Sequence, residues 1–105
     1  MNADYRRGLV LSLRRTLHWM VENDDWFSRS TLATRAMGAI FKIGVDIKTY
    51  FEMDSEYLVD SYENVKKFRA KLNDIIDMPT VEGRQSATDE FVTWLHEIKL
   101  LRPGE

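Results

Sequence analysis

Residues 9–21 read Leu9-Val10-Leu11-Ser12-Leu13-Arg14-Arg15-Thr16-Leu17-His18-Trp19-Met20-Val21. Leu9, Val10, Leu13, Leu17, Met20 and Val21 recur at the i, i+3, i+4, i+7 intervals that place apolar side chains on one face of a helix. Arg7, Arg14, Arg15, His18 and Glu22 fall on the other face. A strand would alternate with period two, and no useful length of this chain does so. The segment from about Asn2 to Glu22 therefore reads as an amphipathic helix.

Three further segments repeat the pattern. From Ser30 onward, Leu32, Ala36, Ala39, Ile40, Ile43, Ile47, Tyr50 and Phe51 line one side. A third helix is expected after Asp54-Ser55, either of which can accept a bond from the first free amides. Its stripe runs from Tyr57, Leu58 and Tyr62 through Val65, Phe68 and Leu72 to Ile75 and Ile76, with Glu63 and Lys67 spaced for an i, i+4 pair. The fourth is expected to open at Ser86, three residues before Asp89, and to end at Arg102-Pro103-Gly104. Its stripe is Phe91, Trp94, Leu95, Ile98 and Leu101.

The linkers read as Asn23 to Arg29, Asp54-Ser55, and Asp77 to Gln85. Short connections favour antiparallel neighbours. The expectation is an all-α chain, a small antiparallel bundle of four helices over one domain, residues 1–105. It becomes five helices if the second breaks at Gly44.

A hydrophobic fraction of 44% with 30% charged residues is that of a globular chain and not of a disordered one. The absence of cysteine excludes disulfides and thiolate metal sites and fits a reducing, cytoplasmic setting. The apolar stretch Gly8 to Leu13 is short and closes on Arg14-Arg15, unlike a signal peptide. No run approaches membrane-spanning length, so no membrane partner is expected.

The net charge of −2 disfavours bulk nucleic-acid binding, yet residues 1–35 hold six arginines against four acids. Arg7, Arg14 and Arg15 form a candidate phosphate-binding patch, because each guanidinium presents a fork of donors to oxyanions. The competing reading is a solvated helix face. Gly44-Val45-Asp46 followed by Thr49-Tyr50 resembles the turn and second-helix start of a helix-turn-helix. That resemblance implies DNA reading by Lys48 and Thr49. Ile40 stands where that motif has alanine, and Glu52, Asp54 and Glu56 follow where acids would repel phosphates.

Chemistry-bearing clusters are sparse. His18 and His96 project from polar faces. Acid pairs at Glu22/Asp25, Asp60/Glu63 and Asp74/Asp77 resemble the pairs with which all-helical nucleotide pyrophosphohydrolases hold magnesium. Those enzymes, however, place the pairs inward on neighbouring helices. No phosphate-cradling glycine loop and no nucleophile with a base is visible, so neither enzymatic activity nor a cofactor is expected.

The second helix carries Met37, Phe41 and Val45 opposite its core stripe, again four residues apart. Either this helix lies at the centre of the fold, or the row is a contact surface for a second copy or another protein. Trp19 borders small Gly8 and Ser12 in the same suggestive way. The function expected is a small non-enzymatic regulatory or adaptor protein, a homodimer or a binder of another protein. A helix-turn-helix regulator is the alternative, and a magnesium-dependent nucleotide pyrophosphohydrolase a distant one.

Overall fold

A computed structural model describes residues 2–58 and 62–105; the side chains of Ile47, Lys48 and Ser55 lie outside the described part, as does Asp60. Asn2 Oδ1 accepts from the Tyr5 amide at 2.8 Å and opens α1, Ala3–Glu22. The remaining helices are α2 (Trp26–Gly44), α3 (Ile47–Glu52), α4 (Tyr62–Asp77) and α5 (Val81–Glu97), with a single 3-10 turn at Ser55–Tyr57. Among the described residues there is no strand.

Three boundaries depart from the sequence reading, each for a local reason. Helix α2 starts at Trp26 instead of Ser30, because Asp25 Oδ2 takes both the Ser28 amide (2.8 Å) and hydroxyl (2.7 Å). Helix α5 starts at Val81 instead of Ser86, because Thr80 Oγ1 takes the Gly83 amide at 3.0 Å. A Cβ at Gly83 would lie 3.0 Å from that same hydroxyl oxygen. Asp54 does cap, accepting from the Glu56 amide, but it opens only the 3-10 turn, and α4 waits until Tyr62. The Asp54 amide is bonded to Ile98 O at 3.1 Å, which ties this turn to the end of α5, and Asn64 Nδ2 is bonded to Leu58 O.

The break at Gly44 is real, which makes five α-helices among the described residues. Asp46, with ψ 118°, is drawn out of helical geometry, and its carboxylate binds Arg6 (3.2 Å) and Arg102 (3.6 Å). Helix α5 ends at Glu97, five residues before Arg102 of the expected Arg102-Pro103-Gly104 stop. Lys99 adopts φ 68°, and the Leu100 amide reaches back to Leu95 O (3.0 Å) while the Lys99 amide reaches His96 O (3.1 Å). These paired bonds are the left-handed helix ending that usually employs glycine.

The apolar stripes meet in one core containing Leu13, Leu17, Ile40, Ile43, Phe68, Leu72, Ile75 and Leu95. Helices α1, α2, α4 and α5 form a closed ring of neighbours, with short α3 attached to α2. Their directions follow from three buried arginines. Arg84 near the start of α5 binds Val21 O at the end of α1 (2.8 Å). Arg29 near the start of α2 binds Ile76 O at the end of α4 (2.9 Å). Arg6 near the start of α1 binds Leu100 O just past α5 (3.0 Å). Each pairing sets one helix start against another's end, and with the short Asn23–Asp25 link turning α2 back along α1 the four long helices run up, down, up, down.

Candidate functional site

Helix α1 is the element around which the surface features gather. Met37 is buried in the core and Phe41 is half-buried against it, while Val45 is 66% exposed at the end of α2. The row is thus divided between interior and surface, because α2 is packed by α1 on one flank and α4 on another. The central-helix reading describes Met37 and Phe41.

Arg7, Arg14 and Arg15 are all exposed, but they do not make one patch. Arg7 and Arg14 border a cleft of about 600 Å³ beside Arg102 and Glu105, whereas Arg15 lines a separate groove beside Arg35. Thr49 is wholly buried, so it is not available to read a base. Its hydroxyl accepts from Arg6 Nη1 and from Arg102 Nη2 (3.1 Å) and donates to Asp46 Oδ2 (3.0 Å). Lys48 and Asp60 lie outside the described residues. Among those described, no three His, Asp or Glu side chains converge as a metal site. Asp25 is occupied as a helix cap, and its hydrogen bonds from the Ser28 hydroxyl and amide hold its carboxyl below the usual range. Asp77 Oδ1 accepts from Trp26 Nε1 at 3.1 Å.

The arginines that matter most structurally were hidden among ordinary helix charges. Arg6, Arg29 and Arg84 are 4%, 5% and 1% exposed. Arg84 also binds Met78 O (3.0 Å) and Asp24 Oδ1 (3.1 Å), and Arg29 also binds Asn23 O (2.9 Å). Each guanidinium therefore satisfies carbonyls that a helix terminus or loop leaves without amide partners. A signal did exist: Arg6 precedes Val10, Leu13 and Leu17 on the apolar stripe itself, and Arg84 precedes Ala87, Phe91 and Leu95 likewise.

On the outer flank of α1, Gly8, Ser12 and Thr16 stand four residues apart and form the shelf of a groove of about 360 Å³ shared with α2. Leu11 (48% exposed) and Trp19 (58% exposed) rise beside the shelf. Nothing lies within 4 Å of where a Gly8 Cβ would project. Arg15 and Arg35 border the groove, and neither makes an ion pair among the described residues. Such a groove can accept the backbone of another helix at close range and surround it with an indole, a leucine and two cations. Helices of the described residues include none long and apolar enough to cross a membrane.

No family model, curated protein or solved structure matches this chain.

Proposed function

We propose that this is a small non-enzymatic regulatory or adaptor protein of the cytoplasm, acting by holding an amphipathic helix of another protein in the α1–α2 groove. The observation that carries this reading is Trp19, more than half exposed beside the Gly8–Ser12–Thr16 shelf. Tryptophan and arginine are the residues on which binding energy concentrates, and an indole packed against small residues loses little entropy on docking. The two unpaired arginines call for an occupant with acidic residues flanking its apolar face. They also favour a different protein over a second copy, because two-fold pairing through this face would bring Arg15 and Arg35 against their own counterparts.

A leucine-faced, glutamate-flanked helical peptide titrated into the protein should shift the backbone amides of Gly8, Ser12, Thr16, Trp19 and Arg35. Gly8→Leu should block the groove and remove those shifts while the helical circular dichroism persists. Shifts elsewhere, or binding indifferent to Gly8→Leu and to Arg15→Glu, would defeat the proposal. Light scattering that reports a dimer broken by Trp19→Ala would replace the acidic helix with a second copy.

A further inference from the structure

Helices α1 and α4 finish, and α2 and α5 begin, at the same end of the bundle. Arg29 and Arg84 turn inward there and donate to Val21 O, Asn23 O, Ile76 O and Met78 O. The two segments they tie together, residues 22–29 and 77–84, hold five acids, these two arginines, and no lysine or histidine. Both guanidiniums are hidden, so the charge these segments turn to solvent is negative. Glu22, Asp24, Asp25, Asp77 and Glu82 are all exposed. Asp24 is engaged by Arg84 and Asp25 by the α2 cap, whereas Glu22, Asp77 and Glu82 make no ion pair among the described residues.

The same segments expose large apolar side chains. Trp26 is 55% exposed, Phe27 73%, Met78 40% and Val81 36%. These are four of the ten large hydrophobics that the described residues expose, a concentration beyond the single scattered residues normal on a globular surface. The bond from Trp26 Nε1 to Asp77 Oδ1 at 3.1 Å holds the indole between the start of α2 and the end of α4, beside Met78. Aromatic rings and methionine are enriched where partners bind, methionine because its unbranched thioether adapts to varied shapes. The surrounding acids select the partner's charge. Carboxylates pair with ammonium and guanidinium groups, and the faces of indole and phenyl rings attract the same cations. That field also repels nucleic acid and acidic lipid.

We propose that this end of the bundle docks a cationic amphipathic helix of another protein. The helix sets its apolar face on Trp26, Phe27 and Met78 and its lysines or arginines against Glu22, Asp77 and Glu82. The partner is opposite in charge to the one proposed for the α1–α2 groove, so the two docking sites can be tested apart.

The probe is a peptide of about 18 leucines and lysines in helical pattern. It should shift the Trp26 indole resonance and the amides of residues 22–28 and 77–83, and leave Gly8 and Ser12 unmoved. Its affinity should fall as salt rises. The leucine–glutamate helix that tests the groove should not move this end. Phe27→Ala should weaken the lysine peptide roughly tenfold, and so should Glu22→Gln combined with Glu82→Gln, with helical circular dichroism retained because all three side chains are exposed. Asp4→Asn combined with Glu97→Gln makes the same charge change at the other end of the bundle and should leave affinity unchanged. No shifts at this end, binding indifferent to salt, equal binding of the leucine–glutamate helix here, or full affinity in Phe27→Ala would each overturn the proposal. So would a particle mass that rises with protein concentration and returns to the monomer in Phe27→Ala, which would place a second copy on this surface.

Discussion

Arg6 and Glu105, 99 positions apart in sequence, are joined by two hydrogen bonds of 2.9 Å, Nε to Oε2 and Nη2 to Oε1. This fork-to-fork geometry is the strongest arrangement a guanidinium and a carboxylate can adopt. It ties the first turns of α1 to the turn formed by residues 102–105, whose Glu105 Oε1 also accepts from the Arg102 amide at 2.8 Å.

The rest of the Arg6 guanidinium is engaged by Asp46, Thr49 and Leu100 O. Arg6→Ala takes one guanidinium from the Asp46 carboxylate, which is 7% exposed and keeps Arg102 and Thr49, and it leaves Glu105 without its fork. Breaking a buried pair from one side typically costs about 3–5 kcal/mol. Urea denaturation should show a loss of that order, a large part of the stability of a domain this size. Arg6→Lys should recover only part of it, since one ammonium cannot reproduce the fork.

Acid should loosen the same contact. Burial raises the Glu105 carboxyl, but the hydrogen bonds from Arg6 and the Arg102 amide, together with both positive charges, outweigh it and hold the group below its usual value of 4.5. A carboxyl depressed in the folded state stabilises it above the unfolded-state value, and that contribution disappears as pH falls through the lower, folded value. The expected result is a fall in thermal midpoint below pH 4.5 that is smaller in Glu105→Gln than in the parent protein. Identical acid profiles would show that other carboxylates govern the transition.

The glycines and Lys99 predict opposite signs for similar substitutions. Gly8→Ala meets open space inside a helix and should stabilise by roughly 0.5–1 kcal/mol. Gly83→Ala presses a methyl against the Thr80 cap oxygen and should destabilise. Lys99→Gly should stabilise by about 1 kcal/mol, because the left-handed backbone at φ 68° strains a residue with a Cβ. Thermal melts of the three variants test all three signs together.

Phe41→Glu distinguishes the two readings of its row. With Phe41 half-buried against the core beside buried Met37, the new charge should lower stability without changing particle mass. A folded variant that is half the parent's mass would instead make the row an interface.

The core stripes that sequence placed well are the long ones. Leu13, Leu17 and Met20 on α1 and Phe68, Leu72 and Ile75 on α4 are all fully buried as their spacing required. Helix starts were harder to see, because Pro79 and Gly83 read as breakers while Thr80 between them caps α5. Likewise Trp26 and Phe27 read as loop aromatics, yet they form the first turn of α2 over the Asp25 cap. Periodicity is blind to a single residue that redirects a chain, as Asp46 does when Arg6 draws it inward. For the sites, Trp19 beside Gly8 and Ser12 was visible as a mismatch in size, whereas the acidic, aromatic end of the bundle depends on which helix ends meet. No one-helix pattern contains that information.

The three arginines turned inward carry one more consequence, for chemical reactivity. A dicarbonyl reagent must reach both terminal guanidinium nitrogens, and in Arg6, Arg29 and Arg84 at least one of these is bonded to a carbonyl, carboxylate or hydroxyl oxygen in a side chain no more than 5% exposed. Of the chain's nine arginines, these three should stay unmodified while exposed Arg7, Arg14, Arg15 and Arg35 react. Their labelling therefore times the parting of one helix end from its neighbour, residue by residue, with no probe introduced into the chain.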